Sequence, residues 1–234
     1  MSRSLRSLPR RSLAAGLLLV LAVLGGCSRH HGVTAPPASR AQPPTPSSPE
    51  AAVRLFEWSW NHRDTLGVFQ LLADDFRFNF AAWDSAGNLF PGRLIGRQEM
   101  LCIVRHIFRG GGCYPPANSI VLSFDPSLYP QGDSRPGKDA IWHREILTSV
   151  YLNVRTESAS YIAQGNARFF VVRGDSALIP QELVSRGFRP DSTRWYVDQW
   201  NDETRVGSAL SRAFPVSALP SRGTTWGDIL ALYR

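Results

Sequence analysis

The sequence predicts an α+β domain in which helices pack on a curved, mainly antiparallel sheet. Three observations predict it: two helical patterns running into an alternating aromatic strand over residues 49–80, one amphipathic helix over residues 96–108, and a succession of long alternating strands after it. Helices come first, a crossing helix follows, and strands then succeed one another, which is not the alternation of a parallel βαβ fold.

The first helix carries Ala52, Val53, Phe56 and Trp60 at helical spacing. Ser48 is placed to cap it, and Pro49 takes the first helical position, where its missing N–H is not needed. Leu66, Phe69 and Leu72 mark a shorter helical turn. Phe76, Phe78 and Phe80 then alternate with Arg77 and Asn79, the period of a strand buried on one face, and such aromatics need the cover that the preceding helices supply. Residues 83–88 read as a turn, with Gly87 and Asn88 tolerant of positive φ, before a short returning strand near Leu89. In the next helix Met100, Ile103, Val104, Ile107 and Phe108 fall on one stripe, and Gly110-Gly111-Gly112 ends it.

Strands are predicted over residues 119–124, 142–155, 161–173 and 195–202. In the second, the even positions are mainly apolar, while His143, Glu145, Ser149 and Asn153 lie on the other face. Arg173-Gly174-Asp175 matches an integrin-recognition tripeptide but sits between strands and reads as a turn.

At the start of the chain, Arg3, Arg6, Arg10 and Arg11 precede an apolar run over residues 13–24, too short for a comfortable membrane span and suited to the h-region of an export signal. Leu24-Gly25-Gly26-Cys27 closes the run and resembles a bacterial lipobox. That resemblance implies cleavage before Cys27 and acylation of its thiol and new amino group, and Ser28 after it favours outer-membrane sorting in the same pattern. An ordinary signal with a chance cysteine is the alternative. Residues 28–48 are rich in Pro, Ser and Ala with no apolar periodicity; they cannot bury enough surface to offset their ordering entropy and read as a disordered tether, with His30 and His31 as polar filler. The organisation is thus a signal at 1–26, a tether at 27–48, a domain at 49–205 and a C-terminal extension at 206–234. Residues 226–233 of that extension form a short amphipathic segment expected to dock on the domain rather than serve as a partner-binding tail, since Trp, Ile, Leu and Tyr exposed together would be costly.

The chain carries 26 basic and 19 acidic residues, and losing the four signal arginines leaves 22 against 19. No basic cluster interleaved with aromatics follows, so no nucleic-acid role is expected. Every basic residue except Lys138 is arginine.

The order of elements, with the opening PEAAVRLFEWSWNHRD…LLADDFRFNF and the closing strand RWYVDQWNDET, resembles the NTF2-like (cystatin-like, SnoaL-like) superfamily over roughly residues 49–205. The likeness is one of pattern and opening phrase, not of a catalytic motif. It implies a cone of helices and curved sheet whose open end holds a small ligand in some members, and dimerisation through the outer sheet face in many. Some members are isomerases, dehydratases or cyclases, and others only bind.

With Cys27 lipidated, Cys102 and Cys113 remain as an even pair in an oxidising space. Cys102 lies nearly opposite the apolar stripe of its helix and Cys113 in the loop beyond, so a disulfide closing this short segment is expected, stabilising by about 2–3 kcal/mol. Two free thiols are the alternative. Neither cysteine has a CxxC partner or His/Cys ligand spacing, and no metal or cofactor is expected.

An enzyme on this fold would need an Asp, Glu or His inside the cone to move a proton, and a Tyr or second acid to polarise the substrate oxygen. The candidates are Asp75, His106, His143, Glu145, Tyr151, Tyr196 and Asp198. His143, Glu145 and Tyr151 share a strand face, which is either a polar constellation or the solvent or dimer face of the sheet. Tyr196, Asp198, Trp200 and Asp202 alternate along the last strand as a pocket lining, or as core packing. His106 lies on a helix flank, and Asp75 begins the first strand. No Gly-rich phosphate loop, HExxH, GxSxG or internal repeat is present. The expected function is that of a membrane-anchored, non-catalytic protein binding a small apolar ligand or a protein partner in the cell envelope. The alternatives are a cofactor-independent isomerase, dehydratase or hydrolase working by acid–base chemistry in the cone, and an assembly module that dimerises through its sheet face.

Overall fold

Ser48 caps the first helix, α1 (Pro49–Asn61): its side chain accepts the Ala51 N–H at 3.1 Å, with Pro49 in the first turn. The computed structural model describes residues 42–80, 94–111, 115–205 and 220–234. The predicted turn at 83–88, the strand near Leu89, the lipobox and Cys113 lie outside them. Asp64 caps α2 (Thr65–Leu71) by accepting the Leu66 N–H at 3.0 Å. The chain passes directly into β1 (Leu72–Asn79), where Phe76 and Phe78 are buried and Arg77 is exposed. A two-residue strand, β2 (Ile95–Gly96), leads into α3 (Arg97–Arg109), which buries the expected stripe of Met100, Ile103, Val104, Ile107 and Phe108.

The remaining elements are β3 (Ser119–Phe124), β4 (Gln131–Gly132), β5 (His143–Arg155), β6 (Ser160–Arg173), α4 (Gln181–Val184), β7 (Trp195–Arg205), β8 (Ser221–Thr224) and α5 (Trp226–Leu232). Among the described residues the strands form one sheet in the order β2-β1-β7-β6-β5-β3; β4 pairs with β5, and β8 with β6. The pairings are antiparallel except β1 with β7 and β6 with β8. This is the α+β architecture expected, with helices on a mainly antiparallel sheet. The tripeptide Arg173-Gly174-Asp175 closes β6 in a turn, where a Cβ on Gly174 would stand 2.5 Å from the Asp191 carbonyl oxygen.

Side chains of α1, α3 and α5 meet one face of the sheet in a single apolar core. α1 also closes the edge strand β3: the Asn61 amide donates to the Leu122 carbonyl and accepts its N–H, at 2.8 and 2.7 Å, and Glu57 accepts the Phe124 N–H at 3.0 Å. Backbone groups that an edge strand would leave open are therefore satisfied by helix side chains. Contact with the sheet begins before the expected domain boundary at 49, because the carbonyl of buried Pro46 accepts the Trp195 N–H at 2.8 Å and extends the β7 ladder. The tether expected through residue 48 is thus engaged at its end.

Candidate functional site

On the last long strand, the expected alternation of Tyr196, Asp198, Trp200 and Asp202 is broken by a β-bulge. Val171 pairs with Val197 and Phe170 with Gln199, so Asp198 is an extra residue on β7. One inserted residue reverses the face of everything beyond it. Trp200 points into the core, while Tyr196 joins a separate cluster with Ala73, Val172 and Leu183 on the opposite face. The proposed Tyr-Asp-Trp pocket face does not exist.

The space under the sheet is filled by aromatic rings. Trp200 lies 4.6 Å from Phe78, 5.3 Å from Phe56 and 4.2 Å from Trp226, centroid to centroid and all edge-to-face. Trp226, from α5, also meets Trp60 edge-to-face at 5.3 Å. These tryptophans are fully buried. The acid that does face this side is Asp202, the last member of that alternation; it accepts the Thr204 N–H and hydroxyl at 2.9 and 2.6 Å and the Gly227 N–H at 2.7 Å. One carboxylate oxygen binds Thr204 on its own strand and the other holds the start of α5.

The polar candidates lie on the other face, beneath the segment from Phe124 to His143 that crosses it. Asp198 receives Arg135 at 2.9 Å and Lys138 at 3.8 Å; Arg135 also reaches Asp133 at 2.6 Å and lies over the Phe170 ring at 4.2 Å. Glu145 pairs with Arg168, whose Nε reaches Glu203 at 2.8 Å, and it accepts the Ser134 N–H at 3.1 Å and hydroxyl at 2.5 Å. Burial pushes the Asp198 carboxyl up, against the pull of Arg135 and Lys138. Burial also works against charged Glu145, but Ser134 and Arg168 outweigh it and hold that carboxyl below its ordinary range. Both acids pin the crossing segment to the sheet.

The other candidates do not converge with them. Tyr151 shares the Glu145 face as expected, but six residues of extended chain separate them by roughly 20 Å. His143 lies at the start of β5 opposite Val172. Burial raises the Tyr196 hydroxyl, so it stays protonated. His106 is half-buried, its Nδ1 3.1 Å from the Tyr233 carbonyl oxygen, and Asp75 is exposed on β1. Cys102 is a free thiol rather than half of a disulfide; its Sγ lies 3.9 Å from His106 Nε2 and 3.8 Å from Arg105. Among the described residues no three His, Cys, Asp or Glu side chains gather as metal ligands.

A surface groove of about 470 Å³ lies between α2 and α3, lined by Leu66, Phe69, Leu101, Cys102, Arg105, Arg109 and Arg186 among others. Beside it Arg97, buried at the start of α3, donates to the Phe69 and Leu72 carbonyls at 3.0 and 3.2 Å and pairs with Glu182 at 2.9 Å. It satisfies carbonyls that the end of α2 leaves open. Nothing in the apolar periodicity marks Arg97 or Arg135, because the partners of Arg97, and Asp198 and Gln199 beside Arg135, lie far along the chain.

No protein-family model matches the chain, and no curated protein sequence matches it. Solved structures similar to it include a nuclear transport factor 2 (NTF2-like) superfamily protein from Salmonella enterica, at 10% identity over 70% of this chain and 92% of that one, with a TM-score of 0.41. A conserved protein from Planctomyces limnophilus is 16% identical over 65% and 92%, with a TM-score of 0.40. A ketosteroid isomerase-like protein from Erwinia carotovora is 11% identical over 65% and 89%, with a TM-score of 0.38. No residue role is carried over from them.

Proposed function

We propose that the chain is a lipid-anchored, non-catalytic binding protein of the bacterial cell envelope, whose cone is shut by its own C-terminal helix and whose binding surface lies outside it. The observation that carries this reading is Trp226, fully buried among Trp60, Trp200 and Phe56 where a ligand in an open cone would sit. General acid–base chemistry needs an ionisable group within reach of a bound substrate. Here Asp202 is buried and bonded to Thr204 and Gly227, while Asp198 and Glu145 are committed to ion pairs across the opposite face. The anchor rests on the charged start, the apolar run and Cys27 in the sequence, and places the domain on a tether at the membrane, with the outer membrane favoured by Ser28.

The test is titration of residues 28–234, which omit the signal and the acylated Cys27, with an uncharged apolar fluorescent probe while tryptophan emission is followed. The expected result is no saturable quenching, because no ring can be displaced without opening the core. Saturable, stoichiometric quenching would overturn the closed cone and restore the interior ligand site.

A further inference from the structure

The groove between α2 and α3 joins two kinds of surface. Its floor is apolar: Leu66 is exposed, with Phe69 and Leu101 half-buried beside it. Around that floor stand three exposed guanidiniums, Arg105 and Arg109 one turn apart on α3, and Arg186 just beyond α4. None of the three forms an ion pair with a described residue. Arg186 lies 5.2 Å over the Phe69 ring. The carboxylate that reaches Gln98 on the groove wall, Glu182, is already held by Arg97.

Like charges spaced as Arg105 and Arg109 repel on a helix. The last turn of α3 favours cations, which accounts for Arg109. It does not account for a third guanidinium, that of Arg186, brought to the same groove from the turn beyond α4, nor for the apolar floor between them. A volume of about 470 Å³ is within the range of small-molecule sites, and guanidiniums bind carboxylate and phosphate with paired N–H donors.

We propose that this groove binds a single-chain anionic amphiphile, an alkyl or acyl chain ending in a carboxylate or phosphate. The chain lies on Leu66, Phe69 and Leu101, and the headgroup is held by Arg105, Arg109 and Arg186. This rests on the reading of the protein as a binder with a closed cone, and it gives that binder a site and a ligand class.

The experiment is calorimetric titration of residues 28–234 with dodecyl phosphate in its monomeric range, in parallel with neutral dodecyl maltoside, inorganic phosphate and phosphatidylglycerol vesicles. Saturable binding of dodecyl phosphate is expected, weakened at least about tenfold in an Arg105→Gln/Arg109→Gln double variant by loss of charge-assisted bonds. Both arginines are exposed, so the variant is expected to fold; its thermal transition is recorded alongside. Failure of dodecyl phosphate to bind overturns the site and leaves the closed cone standing. Equal binding to the variant, with quenching of the cone tryptophans, overturns both. Binding to vesicles without binding to the monomeric amphiphile overturns the proposal in favour of docking on a lipid surface.

Discussion

The carboxylate of Asp202 on β7 accepts the N–H of Gly227 on α5 at 2.7 Å, across a sequence separation of 25 residues. Two positions further along β7, the Thr204 hydroxyl accepts the Trp226 N–H at 2.8 Å. The last long strand therefore satisfies amides that the start of a helix leaves without partners. Asp202 is 2% exposed, so removing its carboxylate leaves buried donors unpaired. Asp202→Ala is expected to cost about 2–4 kcal/mol, read as a lowered urea midpoint, with Asp202→Asn in between. A midpoint unchanged in the alanine variant would mean that α5 is held by its apolar face alone.

That apolar face is itself testable. Trp226 is fully buried among rings, and Trp226→Ala is expected to cost about 3–5 kcal/mol through lost contacts and the cavity left behind. The second consequence is the more specific one: the emptied space should admit the neutral probe that the wild-type chain excludes. A variant that is destabilised yet still excludes the probe would show that the core collapses around the missing ring.

The difference between what the sequence made legible and what it did not lies in the range of the forces involved. Ser48, the α1 stripe and the α3 stripe depend on neighbours three or four residues away, and their predicted helices are present. The alternation of β5 is likewise local and holds from Ile146 onward; before it, Glu145 on the polar face is buried too. The pocket lining failed at Asp198 because a bulge is created by pairing with β6, which periodicity within one strand cannot reveal. Glu145 and Asp198 were recognised as acids on a strand, but their partners Arg168, Ser134 and Arg135 come from elsewhere, and those partners decide that the acids hold structure together. Trp226 is legible as an apolar residue needing cover; that Phe56, Trp60 and Trp200 supply the cover is not, because those rings come from elements distant in sequence.

Gly165 marks where the β6–β7 pair needs a missing side chain. Its φ is +141°, and a Cβ there would stand 2.8 Å from Thr204 Cα and 3.0 Å from the Glu203 carbonyl oxygen. Both neighbours are backbone, so the pair cannot yield without moving β7 and the Asp202–Thr204 contact to α5. Gly165→Ala is expected to cost more than about 2 kcal/mol. Gly137, at φ +75° with nothing within 4 Å of its Cβ position, isolates the conformational part: Gly137→Ala should cost about 1 kcal/mol. Equal midpoints for the two alanine variants would show that close packing at Gly165 contributes nothing beyond backbone strain.

The two acids beneath the crossing segment should give opposite pH dependences. A raised folded pKa means that the folded state binds the proton more tightly than the unfolded one. The contribution of Asp198 is therefore fully present below the ordinary aspartate range and is lost as pH rises through its folded value. Glu145 is held low, so its contribution is present above the ordinary glutamate range and lost as pH falls through its folded value. Urea unfolding between about pH 3 and 7, on the wild type, Asp198→Asn and Glu145→Gln, separates the two. The stability of the wild type relative to Asp198→Asn should fall as pH rises, because neutral asparagine escapes the cost of burying a charge. Its stability relative to Glu145→Gln should rise over the same interval, because only the carboxylate draws full strength from Arg168 and the Ser134 donors. Parallel profiles would mean that both carboxyls titrate alike in the folded and unfolded chains, and the crossing segment would then owe its place to hydrogen bonding and to the stacking of Arg135 on Phe170.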